Sequence, residues 1–187
     1  MNVHLTFDDG PDPEWTPRVL DELRRTESTA TFFVLSCRAA CHPDLVARMR
    51  AEGHAVGLHG NLHLRHDEHP AATIATDTEQ ALALLAPHRP RLWRPPYGVV
   101  ADVTRRLAEQ HDLELVLWTA DSVDWEADQP AATMLQRLEP ELGPGAIVLM
   151  HDAIGPGARR QSPADTLALV EPLVSLARAR GLEPAAL

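Results

Sequence analysis

Thr6-Phe7-Asp8-Asp9-Gly10-Pro11 sets two carboxylates side by side at the point where a predicted strand ends in a turn. Residues 3–7 are apolar and β-branched enough to form a buried strand, and Gly10-Pro11 cannot continue it. Adjacent carboxylates cannot both be buried and ionised unless a cation or an arginine lies nearby. An isolated Asp-Asp-Gly-Pro is otherwise an ordinary acidic turn. The function of the pair therefore depends on partners elsewhere in the chain.

The composition is that of one globular domain spanning residues 1–187. Of the 187 residues, 44% are hydrophobic, and chains of this length bury a core of their own. The net charge is −10, and the arginines are scattered, which argues against a nucleic-acid or anionic membrane surface. All 17 basic residues are arginines. The absence of lysine excludes enzymes that need a Schiff-base lysine or a P-loop lysine.

The two cysteines and the start of the chain bear on the cellular compartment. Cys37 and Cys41 match neither a Cys-x-x-Cys motif nor a disulfide framework, and we expect both to be structural thiols. The sequence opens without a charged and apolar leader, and no apolar run approaches the roughly 20 residues of a membrane span. As written, the chain is expected in the cytoplasm. If a leader has been removed, the same sequence would belong to a secreted protein.

Predicted strands and helices alternate strictly along the chain. The strands cover residues 3–7, 29–35, 55–58, 91–94, 113–118 and 146–150. The helices cover residues 16–25, 43–52, 71–85, 102–111, 130–138 and 162–180, the first with Thr16 as its N-cap. Each strand is a short apolar run, which indicates a parallel sheet covered by helices. Six or seven such units favour a closed or nearly closed barrel over an open sheet.

Two histidines follow the third predicted strand, in His59-Gly60-Asn61-Leu62-His63. Their i, i+4 spacing lets both imidazoles face one ion if the segment turns helically. With Asp9 they make two nitrogens and one oxygen, which leaves coordination positions open for water and substrate, as in a catalytic metal site. Two alternatives remain open. The histidines are ordinary polar loop residues, or the set is the 2-His-1-carboxylate site of an iron(II) oxygenase.

Three more polar clusters each follow a predicted strand. They are Arg94-Pro95-Pro96-Tyr97, Asp121-Ser122-Val123-Asp124-Trp125 and Leu149-Met150-His151-Asp152. Each alone has an ordinary interpretation: a surface arginine beside a turn, an acidic loop with a packing tryptophan, and a histidine at a strand end. All five clusters fall at the same ends of the strands, and in α/β barrels those ends form one face. Together they therefore predict one shared site.

The five motifs, in this order, resemble those of the polysaccharide deacetylase family, the NodB-homology domain of carbohydrate esterase family 4. The resemblance covers residues 3–181, nearly the whole chain. It implies a distorted (β/α) barrel of about seven parallel strands in a single catalytic domain. It also implies hydrolysis of the N-acetyl group of an N-acetylglucosamine-type glycan, a chitooligosaccharide or peptidoglycan, to a free amine and acetate.

The resemblance further implies a metal site and a general base. Asp9, His59 and His63 would hold a divalent metal, usually zinc and in some members cobalt, manganese or nickel. Asp8 would be the general base, with Arg94 close to it. Such a metal polarises the acetyl carbonyl and the attacking water, so a carboxylate can take the proton.

The acid and the substrate pocket are implied by the remaining motifs. His151 would be the general acid that protonates the leaving amine, oriented by Asp124. The backbone N–H of Tyr97 would help to hold the oxyanion. The substrate-binding residues implied are Tyr97, Trp125, Leu149 and Pro95.

One residue departs from the family pattern. Members usually carry serine or threonine directly after the first metal histidine, and this chain has Gly60. The missing hydroxyl is expected to loosen the loop that carries His63 and to weaken metal retention without removing a ligand.

Other substrates and one other class of protein remain open. Acetylxylan, which is an ester, and an acetylated small metabolite also fit a site of this kind. A non-catalytic module that binds glycans through the same groove would be expected to lack at least one catalytic residue, and all the predicted ones are present. We expect a carbohydrate as the binding partner, neither nucleic acid nor membrane, and a monomer.

Overall fold

The computed structural model describes residues 1–187, and a single parallel sheet forms its centre. Every recorded strand pairing is parallel. The strands are β1 (Asn2–Asp8), β2 (Thr31–Val34), β3 (Ala55–Leu58), β4 (Leu92–Trp93), β5 (Glu114–Leu115), β6 (Ala120–Asp121), β7 (Ile147–His151) and β8 (Glu183–Pro184).

Helices connect most of the successive strands and pack against one another. They are α1 (Trp15–Arg25), α2 (Ser36–Cys41), α3 (Pro43–Ala51), α4 (Ala71–Leu84), α5 (Asp102–Gln110), α6 (Ala131–Leu138) and α7 (Ala164–Ala179). The helix pairs α1 and α7, α6 and α7, and α2 and α4 are in contact. None of these helices combines the length and the apolar character that crossing a bilayer requires.

The sheet curls into a half-barrel in which β1 lies near the middle. The strand order is β5-β4-β3-β2-β1-β7-β6, and β8 pairs with the first residues of β1. The edge strands β5 and β6 do not pair with each other. The predicted distorted (β/α) barrel of parallel strands is confirmed, and it is open rather than closed. Because all strands run the same way, their carboxyl ends lie along one edge.

The apolar core includes one face of β1 and holds the sheet to the helices. It is one cluster of 35 buried apolar residues, and Val3, Leu5 and Phe7 of β1 are fully buried within it. The ring of Phe7 stacks on that of Phe32 from β2 at 5.2 Å. Burying each such side chain stabilises the fold by about 1.5–3 kcal/mol. The position of the carboxylates that follow Phe7 is therefore determined by a strand whose apolar side chains are fully buried.

The predicted strand over residues 113–118 is wrong in extent. Only Glu114–Leu115 form β5, and the chain pairs with β7 as a separate strand, Ala120–Asp121. Between them, the carbonyls of Val116 and Leu117 accept hydrogen bonds from the Arg94 guanidinium at 3.2 and 3.1 Å. The partner of these carbonyls is a side chain rather than a neighbouring strand, and β5 ends at Leu115.

Two predictions about helices also require correction. Thr16 is not the N-cap of α1, which begins at Trp15; the Thr16 hydroxyl instead donates a hydrogen bond to Asp152. The short helix α2 was not predicted, because its six residues are too few to show a periodic pattern. Cys37 and Cys41 lie on this helix as free thiols.

Candidate active site

A cavity of about 280 Å³ opens at the carboxyl ends of the strands. Eight residues singled out in the sequence line it: Asp8, Asp9, His59, His63, Tyr97, Trp125, Leu149 and His151. Arg94 and Asp124 lie just behind the cavity, where they contact lining residues. The five motifs therefore meet in one place, although up to 143 residues separate them along the chain.

Strand register places the predicted base and acid on neighbouring strands. Asp8 is the last residue of β1, His151 is the last residue of β7, and the two are paired Cα partners in the parallel ladder. Both side chains line the cavity. This register follows from the apolar pattern of the two strands, because a shift by one residue would turn the buried side chains out of the core.

Asp9, His59 and His63 converge on one point. All three are buried, and their candidate ligand atoms lie within 4.8 Å of one another. Oδ1 of Asp9 lies 3.3 Å from Nε2 of His63 and 3.5 Å from Nε2 of His59. This carboxylate oxygen is buried and has no hydrogen-bond partner. A buried, unpartnered carboxylate oxygen facing two imidazoles fits a cation.

The protonation and orientation of the histidines also suit a metal. Nδ1 of His59 donates a hydrogen bond to the backbone carbonyl of Arg94 at 2.6 Å, which leaves Nε2 free to bind an ion. Burial, together with the neighbouring His59, lowers the pKa of His63 to about 4. His63 is therefore neutral at pH 7, as a ligand must be. Two imidazoles and one carboxylate suit zinc and the other divalent transition metals.

The loop 59–63 is anchored by α4 and α2. The carboxylate of Asp77 accepts hydrogen bonds from the backbone N–H groups of Asn61 at 2.9 Å and Leu62 at 3.0 Å. From α2, the backbone N–H of Ser36 donates to the carbonyl of Gly60 at 3.0 Å. Gly60 has a φ of 88°, which favours glycine over serine or threonine. The expected weakening of metal retention by Gly60 stays a prediction, and Asp77 provides an anchor that the sequence did not reveal.

Arg94 is fully buried and pairs with Asp8. Its Nη1 donates to Oδ1 of Asp8 at 2.8 Å and to the hydroxyl of Thr6 at 2.7 Å. The guanidinium also lies over the ring of Phe33, 4.2 Å from its centre. A buried arginine with this many acceptors holds a carboxylate in one orientation. Oδ2 of Asp8 remains on the side of the cavity, 3.8 Å from Nε2 of His59.

His151 and Asp124 form a second charged pair. Nδ1 of His151 donates to Oδ1 of Asp124 at 2.7 Å, and the backbone N–H of His151 donates to Oδ2 at 2.9 Å. Burial lowers the pKa of His151, but the charge and hydrogen bond of Asp124 outweigh it and raise that pKa to about 9. Burial likewise opposes ionisation of Asp124, and His151, Arg160 and Thr166 nevertheless hold its pKa below the usual range. The pair can therefore deliver a proton at neutral pH.

The predicted substrate-binding residues differ in position. Trp125 and Leu149 line the same cavity as His151, and Tyr97 is 42% exposed, with its ring centre 4.5 Å from that of His63. Pro95 is buried and does not line the cavity. Its extended backbone instead positions the turn that carries Tyr97.

Four non-glycine residues at or beside the cavity adopt left-handed backbone conformations. The φ values are 74° at Asp9, 57° at His63, 59° at Tyr97 and 58° at Val123. Such conformations cost about 1–3 kcal/mol each and concentrate at functional sites. The strain at these positions is consistent with a surface shaped for chemistry rather than for stability.

The cavity contains residues that the sequence analysis missed. Trp118 lines it, as do Gly155 and Arg160 from the loop after β7. Arg160 also contacts Asp124 and Thr166 behind the wall. None of these residues belongs to a recognised motif. Their positions follow from the tertiary fold, and no local signal in the sequence could have identified them.

Comparison with known proteins gives consistent matches over most of the chain. A sequence model of the family described as polysaccharide deacetylase matches residues 1–116. A peptidoglycan-N-acetylglucosamine deacetylase of Bacillus cereus is 36% identical over 183 residues, which is 95% of this chain and 65% of that protein. A chitooligosaccharide deacetylase of Bradyrhizobium is 35% identical, covering 97% of this chain and 87% of that protein. The chain thus spans less than two thirds of the Bacillus cereus protein.

The fold is also found among solved structures. A family 4 carbohydrate esterase from Streptomyces lividans, solved in complex with acetate, superposes with a TM-score of 0.87. It is 30% identical in sequence, and the match covers 98% of this chain and 91% of that one.

Proposed function

The chain belongs to the polysaccharide deacetylase family, and from this premise we propose that it hydrolyses the N-acetyl group of an N-acetylglucosamine-type glycan to a free amine and acetate. One observation carries the proposal. Asp8 and His151 are paired in register at the ends of adjacent strands and line the same cavity as the Asp9, His59 and His63 cluster. A base, an acid and an ion site facing one cavity are what amide hydrolysis needs.

We propose that Asp9, His59 and His63 hold a divalent metal ion, and that this ion is zinc. The unpartnered oxygen of Asp9 and the neutral His63 support this assignment. When bound, such an ion polarises the acetyl carbonyl and lowers the pKa of water. The hydrogen bond from His59 to the Arg94 carbonyl would orient the imidazole for that role.

Asp8 would take the proton from the water that attacks the acetyl carbonyl. Arg94 holds one oxygen of Asp8 and leaves the other toward the cavity, so the carboxylate can accept a proton without rotating. The same ion pair keeps two neighbouring carboxylates, Asp8 and Asp9, from being left without compensating charge. The backbone N–H of Tyr97 would stabilise the oxyanion that forms at the carbonyl oxygen.

His151 would protonate the nitrogen as the C–N bond breaks. Its Nδ1 is held by Asp124, so Nε2 is the atom that delivers the proton. An amine is a poor leaving group unless it is protonated, whereas the alcohol of an ester leaves more readily. The pairing of His151 with Asp124 therefore favours an amide as the substrate over the ester of acetylxylan. Trp125 and Leu149 would enclose the acetyl methyl group.

The substrate class can be tested by measuring acetate release from a panel. The panel contains N-acetylglucosamine oligomers, peptidoglycan, acetylxylan and acetylated small amines, each tested before chelation, after chelation and after zinc is restored. We expect zinc-dependent release from the N-acetylglucosamine compounds. Release from acetylxylan alone would show that the substrate is an ester rather than an amide. Binding of oligomers without release from any compound would indicate a glycan-binding module, and oxygen consumption without acetate release would indicate an oxygenase.

A further inference from the structure

Arg160 lies in the loop after β7, where no motif was recognised, and its side chain is almost completely enclosed. The side chain is 8% exposed, although the loop around it contains exposed residues. Removing a guanidinium from water costs several kcal/mol unless acceptors replace the water. The acceptors that Arg160 uses therefore indicate its role.

All the acceptors of Arg160 belong to the acid pair or to the segments that hold it. Nη1 donates to Oδ2 of Asp124 at 2.8 Å and to the hydroxyl of Thr166. Nη2 donates to the backbone carbonyls of His151 at 2.9 Å and Ala153 at 3.0 Å. One rigid, planar group thus joins the carboxylate, the backbone of the histidine that it orients, and the adjoining cavity wall.

The position of Asp124 depends on this arrangement. Its Oδ2 accepts from Arg160, from the backbone N–H of His151 and from the hydroxyl of Thr166 at 2.6 Å. Its Oδ1 accepts from Nδ1 of His151. If Arg160 were removed, the carboxylate would lose its only arginine partner, and the loop carbonyls would lose their donor. Both changes would allow the imidazole of His151 to leave its present orientation.

We propose that Arg160 is a positioning residue for the general acid, acting on His151 through Asp124. The expected effect on kcat rests on the proposed function. The expected effect on the orientation of His151 rests on the contacts alone. Arg160 does not need to touch the substrate, and its effect is on the proton-transfer step rather than on glycan binding. The Arg160, Asp124 and His151 side chains then act as one unit, so their substitutions should not be additive.

The kinetic test is a double-mutant cycle with the zinc-loaded enzyme. Arg160→Gln is expected to lower kcat about 30-fold and to change KM less than about threefold, because general acid catalysis contributes about 10²–10⁴-fold. In the Asp124→Asn background, Arg160→Gln should lower kcat by less than about threefold further. Arg160→Lys, which keeps the charge, should recover at least part of the loss. The matched control is Arg159→Gln, because Arg159 is 70% exposed and pairs only with Glu126.

A purely structural role would give a different pattern. The proposal is overturned if Arg160→Gln lowers kcat by the same factor in both backgrounds, or if KM rises while kcat is unchanged. If Arg160→Gln fails to fold, the cycle is run with Arg160→Lys, which should show a smaller loss that again disappears in the Asp124→Asn background.

A second readout does not depend on activity. The Nδ1 proton of His151, hydrogen-bonded to Asp124, should give a slowly exchanging NMR signal that is absent from His151→Gln. This proton should exchange faster with water in Arg160→Gln and at the wild-type rate in Arg159→Gln. Equal exchange in both variants would refute the positioning role, whether or not the enzyme releases acetate. Failure of the wild type to release acetate, with the exchange difference intact, would count against the proposed function alone.

Discussion

Gly155 lies against the carboxylate of Asp9, and no larger residue fits in its place. A Cβ built on Gly155 would overlap Oδ2 of Asp9, whereas a Cβ built on Gly143 meets no atom within 4 Å. Asp9 supplies the one oxygen among the candidate metal ligands. The loop after β7 can lie this close to Asp9 only because position 155 has no side chain. A single methyl group would therefore displace the ligand.

We predict that Gly155→Ala weakens zinc binding by at least about tenfold, the lower range for changes beside a metal ligand. Calorimetric titration of the chelator-treated protein with zinc measures this directly, without reference to activity. Gly143→Ala is the control, and its zinc affinity should equal that of the wild type. An unchanged zinc affinity in Gly155→Ala would show that Asp9 is not a ligand.

In the proposed reaction, the pKa of His151 sets the upper pH limit. Asp124 raises this pKa to about 9, so His151 stays protonated at neutral pH and loses its proton as the pH rises through that value. Asp124→Asn removes the negative charge that raises the pKa. The basic limb of kcat should therefore move to lower pH, by about one unit or more, with a lower plateau. A profile of kcat against pH in which the basic limb stays in place would mean that another group limits the rate.

The residues that meet in the cavity could be predicted from sequence, whereas most of the residues that support them could not. Asp8, His59 and His151 can be identified because each lies in a short motif at the carboxyl end of a strand. Asp77 and Arg160 act on residues that lie 16 and 36 positions away, Asn61 and Asp124. An isolated aspartate on a helix, or an arginine in a loop, shows no local pattern that distinguishes it from a surface charge.

At the level of elements, the loop 59–63 depends on α4 for its shape. Asp77 binds two successive backbone N–H groups, and it is buried although the neighbouring Glu79 on the same helix is exposed. A Cβ on Gly60 would lie 3.3 Å from Oδ2 of Asp77, so the anchor and a side chain at position 60 compete for space. The glycine therefore fits this particular anchor.

We predict that Asp77→Ala weakens zinc retention about 10–100-fold, as loss of support around a metal ligand does. The loop would lose both hydrogen bonds, and His63 would lose its fixed position. Zinc content after dialysis against a chelator gives the measurement, with Glu79→Ala as the control on the same helix. If both variants keep as much zinc as the wild type, Asp77 has no part in holding the site.

Helices and strands could be predicted where an apolar pattern reflects their burial. They could not be predicted where hydrogen bonds from distant side chains interrupt them. The strands β1, β2, β3 and β7 follow from apolar runs, and α1 follows from its apolar face, which buries Val19, Leu20 and Leu23. Between β5 and β6, two carbonyls accept hydrogen bonds from Arg94, which is a long-range contact. Because a strand signal records burial rather than hydrogen-bond partners, it could not show this interruption.

For the molecule as a whole, Asp152 makes stability depend on pH. Burial raises its pKa to about 7, against the hydrogen bond from Thr16, and its Oδ1 has no partner. The folded state therefore holds this proton between about pH 4 and pH 7, whereas the unfolded chain releases it. The stabilisation from this proton is complete below the pKa that Asp152 has in the unfolded chain. It is lost as the pH rises through the pKa that Asp152 has in the folded protein.

We predict that Asp152→Asn removes this dependence. The free energy of unfolding of the variant, relative to the wild type, should rise between pH 5 and pH 8 by an amount of the order of 3 kcal/mol, at about 1.4 kcal/mol per pKa unit. Urea unfolding of the chelator-treated proteins at both pH values measures the difference. The surface variant Asp112→Asn should show no such rise. A difference between Asp152→Asn and wild type that is equal at both pH values would contradict the raised pKa.

The central claim is that Asp8 and the metal cluster hydrolyse an N-acetyl group in one cavity. Its most direct test is acetate release from an N-acetylglucosamine oligomer by zinc-loaded wild type, Asp8→Asn and the surface control Asp112→Asn. We expect the wild type and Asp112→Asn to release acetate and free amine in equal amounts, and Asp8→Asn to be at least about 10²-fold slower while it still binds zinc. Equal rates for Asp8→Asn and the wild type would contradict the account.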